Sequence, residues 1–229
     1  MSFDLICPNC GAPSGPSVGV CPFCKTTLSG ISRKEDQTIT SIRRLYTDGK
    51  IDRALVLANV LEREKPKMLE NVGFLLLFAK ILLETEGATS KIRNLLTKAF
   101  LLDPENEEAS EYLEIIDAKT QLKKGLNDLG EQTLKNIIRR SPRNPHALFL
   151  LGTHLFWTEG LTSEAIKHLE RCLEVRPNFL RAWACLGTIY RHIGQPALAV
   201  RAFRRCSALE TNQRMRDYFK GMIESTRGA

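Results

Sequence analysis

Four of the seven cysteines form two C-x2-C pairs, Cys7-Pro8-Asn9-Cys10 and Cys21-Pro22-Phe23-Cys24, with ten residues between the pairs. A Cys-x-x-Cys turn presents two thiolates to one ion about 2.3 Å away, and two such turns complete a tetrahedron. Proline after each leading cysteine pre-sets the turn, and Gly11 tolerates the left-handed backbone that aims amide donors at the sulfurs. The intervening Ala12-Pro13-Ser14-Gly15-Pro16-Ser17-Val18-Gly19 cannot build a core, so metal binding and local folding are expected to be coupled. Two disulfides would need an oxidising compartment, and a redox dithiol would need a strand–helix unit around it. Pairing and spacing favour zinc over both. With Cys7, Cys10, Cys21 and Cys24 as ligands no position is left for water, so the expected Zn2+ is structural and not a Lewis acid.

Other chemistry is sparse. His168 and Cys172 stand one helical turn apart, which supplies two ligands of an incomplete metal site; Cys172 is equally explained as a small packing residue, like Cys206. Cys185 is left between core and groove. His146, His154 and His192 have no partner motif and read as surface or groove residues. No nucleophile–base set, phosphate loop or paired carboxylates stand in a supporting context, so a non-enzymatic protein is expected.

The positioning elements follow from composition and periodicity. The chain has 229 residues, 43% of them hydrophobic, enough to bury a sizeable core. Its longest apolar run, Phe74 to Leu83, is broken by Lys80 and falls far short of the ~20 residues that span a bilayer. Burial on both sides is the preferred reading of that run. The first residues show no basic region and no small-residue cleavage site, which sets the expectation of a cytoplasmic protein. The net charge of +7 is uneven: residues 130–229 carry sixteen Lys and Arg against eight Asp and Glu, whereas residues 1–129 carry seventeen against eighteen. An acidic partner surface for the C-terminal half is implied.

Residues 1–28 read as the metal module, 29–36 as a polar linker, and 37–229 as helical throughout, with internal repetition. Trp183-Ala-Cys-Leu-Gly-Thr-Ile-Tyr190 aligns with Leu148-Phe-Leu-Leu-Gly-Thr-His-Leu155, and each continues through a glycine turn, Gly194 or Gly160, into a second helix with an early alanine, Ala199 or Ala165. Asp103-Pro-Glu-Asn106 closes a further unit near 73–106, with its turn at Gly87, and Ser141-Pro-Arg-Asn144 closes one at 107–144. Arg176-Pro-Asn178 ends the unit that starts near Pro145, and a unit near 35–68 carries Tyr46, a turn at Asp48-Gly49-Lys50, Ala54 and Pro66. The amphipathic tail, 213–225, reads as a capping helix through Met215, Tyr218, Phe219 and Met222.

The N-terminal segment resembles the short zinc-ribbon modules that open many bacterial proteins, with Lys25 where the second knuckle often carries Gly. The repeats, with their large–Leu-Gly–Tyr, Ala, Phe, Ala, Pro pattern, resemble tetratricopeptide repeats, whose period is about 34 residues. The expected fold is therefore all-α: a helical-hairpin solenoid of about five units and a cap, behind a four-cysteine zinc ribbon. The resemblance implies a groove lined by the first helix of each unit. Carried onto the two best-matched units, its lining is His146, Phe149, Thr153 and Phe156, then Arg181, Ala184, Thr188 and Arg191. The Lys and Asn set with which some family members clamp a C-terminal carboxylate is missing. Interior packing competes for Phe149, Phe156 and Trp157, and a solvated face for Arg139, Arg140, Arg143, Arg201, Arg204 and Arg205. The expected function is an adaptor that binds a protein partner with an acidic and apolar segment. The alternative is a nucleic-acid-associated protein using the ribbon and the basic half, although the ribbon offers few basic or aromatic residues.

Overall fold

The computed structural model describes residues 5–6, 13–14 and 33–227. Two short strands, β1 (Leu5–Ile6) and β2 (Pro13–Ser14), pair antiparallel with Leu5 opposite Ser14 and Ile6 opposite Pro13. Cys7, Cys10, Cys21 and Cys24 lie outside the described residues. The rest is helical: α1 (Arg33–Thr47), α2 (Ile51–Glu64), a 3₁₀ turn (Pro66–Glu70), α3 (Val72–Glu84), α4 (Thr89–Leu102), α5 (Glu107–Lys123), α6 (Asn127–Arg140), α7 (Pro145–Trp157), α8 (Thr162–Val175), α9 (Leu180–His192), α10 (Pro196–Leu209) and α11 (Gln213–Arg227). Helix α1 starts inside the expected 29–36 linker. Helices α1 and α2, α3 and α4, α7 and α8, and α9 and α10 pack in sequential pairs, and α11 packs on α10. No described helix is long and apolar enough to cross a membrane.

Two compact units divide the chain, 1–47 with 51–110, and 48–50 with 111–229. In the first, α3 packs against α1, α2, the 3₁₀ turn and α4. This explains its nearly unbroken apolar sequence: Phe74, Leu75, Phe78, Ala79 and Ile81 are all fully buried, because a helix enclosed on every side has no face to give to water. Lys80, the polar interruption, pairs with Glu108. Lys91 lays its ammonium 4.6 Å from the Phe78 ring centre and 2.6 Å from Glu62, so its stem covers apolar surface while its charge stays paired. The first hairpin closes the core with Ile39, Ile42, Ala54 and Ala58.

One local design recurs along the chain. Asparagine ends each Pro-x-Asn sequence and caps the following helix: Asn106 Oδ1 accepts from Ala109 N, and Asn144 Oδ1 accepts from His146 N and Ala147 N at 3.0 Å. Asn212 does the same for Arg214 N ahead of α11. The turns inside the hairpins need a left-handed residue, supplied by Gly160 (φ 68°) and Gly194 (φ 69°). In the α3–α4 turn that conformation falls on Glu86 (φ 56°) and not on the expected Gly87. Where two helices cross, Gly187 lets the Phe203 ring lie so close that an added Cβ would stand 2.5 Å from it. Behind that crossing Phe203, Cys206, Ala199, Phe219 and Ile223 form one cluster joining α10 to α11. The tail helix packs on α10 through Phe219 and Ile223. Met215 and Tyr218, also expected on that face, are exposed.

Candidate functional site

The expected lining residues recur on α7 and α9 at spacings of three and four, so each set forms a row along one helical face. The two helices meet near both ends of these rows. Arg181 places its guanidinium 4.8 Å from the centre of the Phe149 ring, and Phe156 stands edge-on to His192 at 5.7 Å. Arg181, Ala184 and Thr188 are half-buried and Arg191 is exposed, its Nη1 3.4 Å from Met222 Sδ of α11. Thr153 and Thr188 donate their hydroxyls to carbonyls one turn back, Phe149 O at 2.9 Å and Ala184 O at 3.0 Å. These helix-internal bonds leave the methyl groups and the arginines to set the character of the face.

Two expected lining residues are not on that face. His146 is only 3% exposed; its Nδ1 lies 2.9 Å from Tyr112 Oη and its ring 5.5 Å from Phe179. Phe149 is buried with its ring 4.9 Å from Phe179. The reason is Phe179, the residue between α8 and α9. It drops into the gap between successive hairpins and draws both rings into an interior aromatic cluster that also takes in Tyr112. An interior-packing role therefore holds for Phe149. Phe156 stays half-buried and Trp157 is exposed, its ring 4.7 Å from that of Phe156.

The other singled-out residues separate cleanly. Cys172 Sγ donates to Pro145 O at 3.2 Å, and Cys206 Sγ faces Leu180 O at 3.7 Å, so both thiols tuck against the first residue of their own repeat. Burial pushes the Cys206 thiol up to about 12 and does the same to Cys185, which settles Cys185 in the interior as a neutral thiol. Arg140 pairs with Glu114, Arg139 bonds Asn136 at 3.1 Å, and Arg205 lies over Trp183. Much of the basic half is thus engaged with its own chain.

Sequence reasoning missed a cleft of about 420 Å³ between α8, α9 and α10. Trp183, Leu186, Leu173 and Leu198 form its apolar walls; Glu170, Glu174 and Arg201 stand among them. Trp183 Nε1 donates to Pro177 O at 2.8 Å and Tyr190 Oη to Glu170 Oε1 at 2.9 Å. Burial, followed by the bond to Glu170, raises the Tyr190 hydroxyl to about 12, so it stays a donor. The spacing of seven between Trp183 and Tyr190 was the available signal, since it puts both on one stripe of α9.

Comparison with known proteins agrees with this architecture. Residues 145–179 match the tetratricopeptide repeat model. No curated protein matches the sequence significantly. Among solved structures, TTC0263, a thermophilic tetratricopeptide repeat protein of Thermus thermophilus, is similar at TM-score 0.50 and 16% identity, covering 82% of this chain and 97% of its own. A tetratricopeptide repeat protein from Parabacteroides merdae is similar at TM-score 0.52 and 15% identity, covering 84% of this chain and 70% of its own. At such identities the likeness is one of fold. One unit of the chain, 145–179, thus matches the tetratricopeptide repeat by sequence, and the helical hairpins are similar in fold to tetratricopeptide-repeat structures.

Proposed function

We propose that the protein is a non-enzymatic adaptor that docks a partner segment on the α7–α9 face. Tetratricopeptide repeats generally mediate protein–protein interactions. The observation that carries the reading is the pair of arginines, Arg181 and Arg191, bracketing a floor of Ala184, Thr153, Thr188 and the Phe156 edge. Guanidinium groups ten residues apart on one helix suit two carboxylates on a partner that also lays small apolar side chains between them. Arg181→Glu with Arg191→Glu is expected to weaken a selected acidic, amphipathic peptide by more than tenfold in fluorescence anisotropy, with helical content unchanged. Undiminished binding by that double variant would remove the assignment. The α8–α10 cleft favours a second docking place for one or two apolar side chains, and Leu198→Asp separates the two because it alters only the cleft.

For the N-terminal module the reading is a structural Zn2+ on Cys7, Cys10, Cys21 and Cys24. The pairing and spacing of the two C-x2-C motifs support it. Cys7→Ser is expected to lose one zinc equivalent while the helical signal persists.

A further inference from the structure

At the C-terminal end of α7, His154 turns inward where a hydrocarbon would be expected. Its side chain is only 4% exposed, and among the described residues its Nε2 is buried with no hydrogen-bond partner. Two carboxylates face that nitrogen: Glu131 Oε2 from α6 at 3.7 Å, and Glu159 Oε1 from the α7–α8 turn at 3.9 Å. All three donor atoms lie within 4.8 Å of one another.

These separations are informative. They exceed the 2.7–3.2 Å of an N–H···O hydrogen bond by about half an ångström or more, so the imidazole is not bonded to either carboxylate. A tetrahedral ion holding N and O donors at about 2.1 Å, however, sets those donors about 3.4 Å apart. The three atoms are therefore spaced more like the edges of a coordination shell than like a hydrogen-bonded pair.

We propose that Glu131, His154 and Glu159 form a binding site for a divalent transition-metal ion of the zinc class. One imidazole and two carboxylates neutralise a dication and select Zn2+, Co2+ or Fe2+ over Mg2+ and Ca2+, which prefer all-oxygen shells. The second oxygen of Glu131 pairs with Lys135, the outer contact that fixes a ligating carboxylate in orientation. Glu159, with a side chain 41% exposed, is the entry side, and His154 is the floor. The next repeat supplies an internal control, because its counterpart of His154 is Ile189, fully buried. Packing at this place asks for an aliphatic side chain, and the histidine answers a different demand. Three protein ligands leave a coordination position for water, unlike the expected four-thiolate site.

The test uses the full chain, reduced and already carrying one equivalent of Zn2+ for its thiolates. ZnCl2 is titrated while the imidazole resonances of the four histidines are followed by NMR and the heat by calorimetry. The expected result is one further equivalent that shifts the His154 resonance. Glu159→Gln, at an exposed position that the fold does not need, is expected to weaken that step at least tenfold. Glu131→Gln with Glu159→Gln should abolish it at unchanged circular dichroism. The proposal fails if the His154 resonance responds to pH but not to zinc. It fails equally if the second equivalent shifts His168 or His192 instead, or if Glu159→Gln binds zinc as the parent does.

Discussion

The repeats at 145–175 and 180–209 are two solutions to one packing problem. Each puts a glycine at the helix crossing, a left-handed glycine in the turn, and a cysteine thiol against the first residue of its own hairpin. They part where function is free to enter. Phe149, Phe156 and His154 of the first correspond to Ala184, Arg191 and Ile189 of the second. The first repeat turns an aromatic ring and an imidazole inward; the second has a small, arginine-bearing face and an aliphatic side chain where the imidazole stands. What the repeats share is what stacking demands, and what they do not share marks where this chain does something of its own.

The largest effect should come from the residue that joins them. Phe179→Ala removes the ring on which His146 and Phe149 both pack, and about 3–5 kcal/mol of stability is expected to go with it in chemical denaturation. Swapping the divergent position is a sharper test. Ile189→His should destabilise by about 3 kcal/mol, losing apolar burial and stranding a polar nitrogen, whereas His154→Ile should be neutral or stabilising by about 1 kcal/mol. Equal losses for the two exchanges would show that His154 is a packing residue after all.

At the crossings, Gly187→Ala drives a methyl against the buried Phe203 ring, while Gly152→Ala meets Leu169 Cγ at 2.9 Å. Overpacking of about 1–3 kcal/mol outweighs the ~1 kcal/mol that alanine gains as a helix former, so Gly187→Ala should lose about 1–2 kcal/mol and Gly152→Ala less. A smaller contrast depends on pH. Desolvation, then the neighbouring Arg171, holds His168 below its ordinary value of 6.5, against a weaker opposing pull from Glu164. The unfolded chain then binds more protons than the native one, so stability falls as pH drops through and below 6.5 and is fully present above it. Thermal melts at pH 7.5 and 5.5 should show that decline, flattened in His168→Gln; an identical slope in the variant would discard the attribution. Smallest of all, Glu86→Gly relieves a left-handed non-glycine turn in the first unit and should raise stability by up to about 1 kcal/mol.

Repeat length, helix pairing, the early alanines and the Pro-x-Asn endings were all legible in the sequence, because each follows from local geometry. Helix periodicity is 3.6, a cap must be polar, and a left-handed turn favours glycine. Burial of the α3 run was legible for the same reason, since ten nearly unbroken apolar residues leave no polar face. The site was read only in part. Arg181, Thr188 and Arg191 lie on one face, as spacing required, yet His146 and Phe149 turn inside. Their helical phase was right; what it could not include was Phe179, which arrives from the connection beyond α8 and closes over them.

The amino-acid order by itself determined an all-helical array of hairpins and the thiol-rich pairing ahead of it, because both are encoded over stretches of four to thirty-five residues. Only the tertiary structure decided that His154 meets Glu131 and Glu159, that Trp183 and Tyr190 wall a cleft, and that two aromatic lining residues are interior. Each of those depends on side chains from separate helices arriving at one point, a coincidence set by how the hairpins stack and by no periodicity within any one of them.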